Sequence, residues 1–215
     1  MGCVHRSVPP APSREMRDME HNVLITSVGG QGGVTLAKII AHAALRQGLD
    51  VKVGETLGMA QRGGSVQSHI RVGESAHGSL IPKGRCNFLL SLEPSEAVRV
   101  PEYLSPSTKV ILSTTPVYPI PVMLKEAIYP ELAQIISALE KIGCRVYPLE
   151  ANDLASEANA PTSLNMVILG AYAALGSLIT VDSLRKALSE ALSKRFLEAN
   201  TRAFDKGYYA MKKLL

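Results

Sequence analysis

The sequence predicts an α/β domain: a Rossmann-like three-layer fold with a mostly parallel sheet and a helical C-terminal segment. From Asn22 to Leu149, short aliphatic and β-branched runs alternate with segments of helical period, the pattern of strands joined by crossover helices. After Leu149 the strand signal stops and only helical stripes remain. At 215 residues the chain has the length of one domain with a substantial core, here assigned to residues 22–215 behind a disordered N-terminal tail, residues 1–21.

Asn22 to Val28 is the first expected strand. The helix after it carries Leu36, Ile39, Ile40, Ala43 and Ala44 on one stripe and stops at Gly48. Further strands are expected at Val51 to Val53, Val66 to Val72, Phe88 to Leu90 and Val110 to Leu112, with turn-rich sequence from Thr114 to Pro121. Glu131 to Ile142 reads as an amphipathic helix with Leu132, Ile135, Ile136, Leu139 and Ile142 inward, Gly143 stops it, and Val146 to Pro148 returns to the sheet. Four helices follow: Ala151 to Ala158, an apolar one from Met166 to Leu178 with Asn165 as its cap, one striped by Leu184, Ala187, Leu188, Ala191 and Leu192, and a last one from Phe196 to Leu214.

Composition narrows the function. Hydrophobic residues at 46% and charged ones at 20% are ordinary for a globular protein, and no apolar run reaches bilayer-spanning length. The net charge of +4 is concentrated between Lys194 and Lys213, on one helix, and three Phe without any Trp give little for bases to stack on. That distribution argues against nucleic acid and for a solvated face or an acidic partner. Cys3, Cys86 and Cys144 are scattered and lack C-x-x-C spacing, which disfavours a disulfide framework, a zinc site or a self-contained iron–sulfur cluster and suggests a cytoplasmic protein. The proline-containing stretch Met1 to Asp18 has no apolar signal core; it reads as a disordered extension, or as sequence upstream of a true start at Met16 or Met19. His5, His21, His42 and His77 have no partner at metal-ligand spacing and read as incidental.

Two glycine clusters carry the chemistry. Gly29-Gly30-Gln31-Gly32-Gly33 follows the first strand and opens a helix, so its amides can meet an anion at a helix N-terminus. It does not complete a dinucleotide fingerprint or a Walker loop. Glu55, at the end of the second strand, stands about where a ribose-binding acid would sit. The second cluster contains Gln61, Arg62, Gly63 and Gly64, and an arginine among glycines can clamp a phosphate or carboxylate. It runs into a strand on which Ser65, Gln67, His69 and Arg71 share one face. Those side chains need a partner chain, a ligand or solvent. The blander alternatives are glycines that merely permit a tight turn, a surface arginine, and a solvated edge strand. No catalytic set and no metal site is assigned.

Together, the stretches Ser27 to Gly33 and Gly58 to Arg71 resemble the gamma-type domain of the 2-oxoacid:ferredoxin oxidoreductases, and within that family the small, or beta, subunits that act on indolepyruvate. Leu80-Ile81-Pro82, Leu92-Glu93-Pro94, Asn165 with Leu169-Gly170-Ala171, and Glu198-Ala199-Asn200 through Ala203-Phe204 extend the likeness over Asn22 to Tyr209. Gly33 departs from it, since an apolar residue or serine is more usual there. The resemblance implies a subunit of a complex that oxidatively decarboxylates arylpyruvates, with CoA as co-substrate and ferredoxin as electron acceptor. It also implies a larger alpha subunit carrying thiamine diphosphate, magnesium and the iron–sulfur clusters, none of them bound by this chain alone. Gly29 to Gly33, Glu55, Gln61, Arg62, Gly63 and Gly64 then become candidates for the active region, and Gln67, His69 and Arg71 for the face toward the partner. The residues alone leave two other readings open, a free-standing nucleotide- or CoA-binding module and a purely structural assembly subunit.

Overall fold

The computed structural model describes residues 19–57, 63–74 and 76–215. Six strands form one sheet in the order β2-β3-β1-β4-β5-β6, with β1 at His21–Val28, β2 at Val51–Leu57, β3 at Ser65–Val72, β4 at Phe88–Ser91, β5 at Lys109–Ser113 and β6 at Arg145–Leu149. β1, β4, β5 and β6 are parallel. The β1–β3 and β3–β2 pairings are antiparallel, so the sheet is parallel on one side of β1 only. β1 begins at His21, inside the expected tail, and Glu20 before it pairs with Arg71.

Helix α1 (Gly33–Arg46) crosses from β1 to the edge strand β2. The short helix α2 (Pro94–Ala97) leads away from β4 in the other direction, through a 3-10 turn at Pro101–Tyr103. A reversal of this kind between β1 and β4 opens a crevice beyond the carboxyl ends of the strands. After β5 come α3 (Ile120–Met123) and α4 (Leu132–Lys141), and after β6 come α5 (Ala151–Glu157), α6 (Leu164–Ala174), α7 (Val181–Ala191) and α8 (Lys194–Leu214). The expected helices are found within a few residues of their ends, except that the apolar one begins at Leu164 and ends at Ala174.

Two cores flank the sheet. Val23, Ile25, Ile70, Leu90 and Ile111 face α1 and α6–α8, whereas Leu24, Leu89, Val110 and Leu112 face α4 and the connection after α2. This makes the three layers. The central strands are apolar on both sides because helices or coil cover both sides, and each buried Leu or Ile contributes about 2 kcal/mol relative to an exposed one. All eleven residues of α6 are buried, which fits its lack of a polar face. At its crossing with α8 the backbones touch. A Cβ on Gly170 would stand 1.9 Å from the Phe204 carbonyl oxygen, and one on Gly207 1.9 Å from that of Val167.

Candidate functional site

The site is built at the carboxyl end of β1. Because Val28 is in register with Ser65 of β3, the two glycine clusters meet there, and the Gly29 N–H donates to the Gly64 carbonyl at 2.9 Å. The turn then reverses into α1 through Gly30, at φ 105, and Gly32, at φ 80. Gly32 is the N-cap of α1 and supplies no side-chain cap. The N–H groups of the first helical turn therefore lack both an intrahelical acceptor and a capping oxygen, at the end where the helix dipole favours an anion.

Each small residue of the turn has a steric reason. A Cβ on Gly32 would stand 2.4 Å from Asn165 Nδ2, and one on Gly33 would stand 2.4 Å from Ser27 Oγ. The glycine at position 33, where the family resemblance suggests a larger residue, thus accommodates the serine beneath it. Asn165 is the second residue of α6, not its cap; Ser163 holds that position. Its amide donates to the Gly32 carbonyl at 3.2 Å, tying α6 to the turn. Gln31 is engaged inside the fold: its Oε1 accepts from the Val28 N–H at 2.8 Å and its Nε2 donates to the Leu92 carbonyl at 3.0 Å. It bridges the ends of β1 and β4 and closes the crevice below the turn.

Beside the turn lies an open cavity of about 390 Å³, lined by Val28, Gly63 and Ser65 on one side, Ser95, Glu96 and Arg99 on another, and the apolar stretch Val117 to Pro121 with Met123 on the third. Ser65 Oγ donates to the buried Glu96 at 2.5 Å, and Arg99 pairs with the same carboxylate at 3.0 Å. Glu93 is fully buried and caps α2 by accepting from the Glu96 N–H at 3.0 Å. It also accepts from Ser95 Oγ at 2.6 Å, from the Val117 N–H at 3.3 Å and from the Tyr129 hydroxyl. Burial first, then this carboxylate, push the Tyr129 phenol well above its ordinary pKa, so it stays protonated. The roles of Glu93, Glu96 and Tyr129 escape sequence reading, although Glu93-Pro94 is a helix-start signature, an acid before a proline at the first helical position.

Other expected positions lie elsewhere. Gln61 and Arg62 fall outside the described residues. Glu55 sits exposed on β2, level with Ser68 and Ile25. β3 intervenes between it and β1, so Glu55 is not brought to the glycine turn. The polar face of β3 is largely taken up inside the fold. β3 is an interior, antiparallel strand, and His69 and Arg71 are buried by the chain's own residues instead of facing a partner.

Arg71 pairs with Glu20, donates to Asn22 Oδ1 at 3.2 Å and donates to the carbonyls of Gly78 and Leu80 at 3.0 and 3.4 Å. His69 Nδ1 accepts from the Ile81 N–H at 3.3 Å, and the ring meets Tyr103 edge-on at 5.1 Å. Burial keeps its pKa below the usual imidazole value, consistent with the neutral ring that this bond requires. Gln67 is half-buried. His21, read as incidental, is buried and bonded to the Tyr172 hydroxyl at 2.8 Å. Among the described residues no three His, Cys, Asp or Glu side chains gather as a metal requires, and no helix is long and apolar enough to cross a membrane.

Comparison with known proteins places this architecture. The family model described as pyruvate ferredoxin/flavodoxin oxidoreductase matches residues 22–210. The chain is 39% identical to the indolepyruvate oxidoreductase subunit IorB of Archaeoglobus fulgidus, covering 88% of this chain and 94% of that one. To the subunit of that name from Methanothermobacter thermautotrophicus it is 40% identical, covering 89% and 98%. Among solved structures, the gamma subunit of a keto/oxoacid ferredoxin oxidoreductase from Geobacter sulfurreducens superposes with a TM-score of 0.66 at 20% identity, over 89% of this chain and 98% of that one. A 2-oxoglutarate:ferredoxin oxidoreductase from Magnetococcus marinus gives a TM-score of 0.70 at 23% identity, over 91% of this chain but 31% of that longer one. The chain belongs to the pyruvate ferredoxin/flavodoxin oxidoreductase family.

Proposed function

We propose that the chain is the small subunit of an indolepyruvate, or arylpyruvate, ferredoxin oxidoreductase. It serves CoA-dependent oxidative decarboxylation of the 2-oxo acid, with electrons passed to ferredoxin, and works with a larger alpha subunit. The names of its relatives support the reaction class, and the joining of the two glycine clusters at an uncapped helix N-terminus supports the part played by this chain.

Thiamine diphosphate with magnesium, and iron–sulfur clusters, supply the decarboxylation and electron-transfer chemistry of such a complex. The two cysteines among the described residues do not suit a cluster ligand set. Cys86 and Cys144 point into the core beside the Phe88 and Ser105 carbonyls, and burial pushes the Cys86 thiol up to about 12, the opposite of a cluster thiolate. Those groups belong to the alpha subunit in this reading, and no step of theirs is assigned here.

What this chain offers is an anion subsite. The first-turn amides of α1, the turn at Gly29 to Gly33, and Arg62 from the second cluster donate to a phosphate of CoA, holding it at the wall of the active region. One charge-assisted hydrogen bond contributes about 1.5–3 kcal/mol, or roughly 10- to 100-fold in affinity. In the assembled complex, Arg62→Ala should raise the KM for CoA at least about tenfold, and CoA should slow hydrogen exchange at the amides of Gly32 to Thr35. Unchanged turnover and CoA dependence would refute the phosphate role.

A further inference from the structure

The excursion between β5 and α4 displays its apolar side chains outward. Val117, Tyr118, Ile120, Met123, Leu124 and Ile128 are each 40% or more exposed, Ile128 almost completely, and α3 buries none of its residues. Such a stretch would ordinarily collapse or lie flat. Here its backbone is folded on itself: the Met123 N–H donates to the Pro119 carbonyl at 3.1 Å, the Leu124 N–H to Ile120 at 2.9 Å and the Glu126 N–H to Pro121 at 2.8 Å. Both of its ends are held by one buried group, since Glu93 accepts from the Val117 N–H and from the Tyr129 hydroxyl. Tyr118 packs edge-on against Tyr129 at 5.1 Å. The display is preorganised, which lowers the entropy lost when something binds it.

Building on the subunit reading above, we infer that residues 117–128 are the docking surface for the larger subunit, which seats an uncharged apolar segment against them and into the cavity beside the glycine turn. Area supports this. Six large apolar side chains clustered in twelve residues and each 40% or more exposed make a patch of the kind that marks an interaction site, at the scale from which a standard interface is built. Charge limits what enters the cavity: Glu96 and Arg99, the ionic pair in its wall, neutralise each other, so a charged residue inserted there would be desolvated without a counterion.

Position supports the larger subunit over a second copy. The patch continues into the cavity bounded by Gly63, Ser65 and Val28. Two copies pairing isologously through it would seal both glycine turns against each other. Docking of the larger subunit instead places the anion subsite at a boundary between two unlike chains.

The test uses the chain co-expressed with its larger companion. Ile120→Asp with Met123→Asp should weaken association at least about tenfold, read by sedimentation velocity over a concentration series. Leu45→Asp, at an exposed leucine of α1, should leave it unchanged, and thermal melts of the lone variants check that they fold. In the wild-type complex, hydrogen exchange at the amides of Met123, Leu124 and Glu126 should slow on assembly. A doubly substituted chain that assembles like wild type overturns the inference while leaving the subunit reading intact. A wild-type chain that holds no larger partner overturns both. If the lone wild type forms a dimer that the double substitution dissolves, the occupant is a second copy and the assignment is wrong.

Discussion

The two ends of β1 differ in how they use their polar groups. At the amino end nearly everything is spent internally: His21 on Tyr172, the Asn22 backbone N–H on Asn87 Oδ1 at 2.7 Å, the Asn22 amide on the Arg85 carbonyl at 2.8 Å, and Arg71 beside them on four oxygen partners. At the carboxyl end the side chains of Gln31 and Asn165 seal the floor, but the amides that open α1 are left without a cap. Polar residues at one end close the fold, whereas glycines at the other leave donors facing outward. In an α/β protein, a buried arginine is weaker evidence of a binding site than an uncapped helix start beside a topological reversal.

The largest effect expected from this contrast is at the sealed end. Arg71→Met keeps the length of the side chain but takes the guanidinium from the carbonyls of Gly78 and Leu80 and from the Glu20 carboxylate, which keeps only the Asn22 amide as a donor. Breaking a buried pair costs about 3–5 kcal/mol, and since Glu20 is about one-third exposed the low end, about 3 kcal/mol, is expected in urea unfolding. The contrast breaks if Arg71→Met unfolds like wild type but assembles poorly with the larger subunit. That result would return Arg71 to the partner-facing role suggested by strand alternation.

A smaller effect separates the ends by pH. Burial, reinforced by the Lys109 charge, lowers the His21 pKa from 6.5 to about 4. Above pH 6.5 the ring is neutral in both folded and unfolded chains. As pH falls from 6.5 toward 4 the unfolded chain takes up a proton that the folded chain refuses, so stability declines. By pH 5.5 the loss is roughly 1–1.5 kcal/mol relative to pH 7. His21→Gln should remove that part of the slope, measured as the difference in urea midpoint between the two pH values. Identical slopes in the two proteins would mean that His21 is not closed off as its contacts indicate.

The sequence made most of the fold legible because periodicity reports burial directly. The Leu36-Ile39-Ile40-Ala43 stripe and the Ile135-Leu139 pair are buried as expected, and both glycine clusters lie at one end of β1. What escaped reading depends on contacts distant in sequence. Alternation on β3 announced that Gln67, His69 and Arg71 share a face, but period two cannot say what covers it. The cover is the segment from Ala76 to Ile81, which also passes over β2, where Ser79 Oγ would be 2.9 Å from a Cβ on Gly54. Glu55 lies away from the turn for a related reason. A βαβ reading puts β2 next to β1, and an antiparallel β3 inserted between them has no local signature beyond its polar residues. Asn165 looked like a cap because asparagine favours caps, yet its partner is 133 residues away at Gly32.

The smallest effect on stability tests the open end most directly. Gly30 has φ 105, and a Cβ built there meets nothing within 4 Å. Gly30→Ala therefore costs only backbone strain, about 1 kcal/mol, with no collision inside the chain. Gly33→Ala has ordinary φ but drives a methyl against Ser27 Oγ, so its cost is packing and should be partly relieved by Ser27→Ala. The two substitutions separate space used by the protein from space left for a ligand. If a phosphate approaches the turn, the methyl at position 30 stands in its path, and CoA binding to the assembled complex should weaken at least tenfold while the unfolding midpoint falls only by what about 1 kcal/mol of strain predicts. The Ser27→Ala/Gly33→Ala pair should bind CoA nearly as well as wild type. Equal, small effects on CoA at both positions would mean that the turn is as much a structural closure as the amino end of β1.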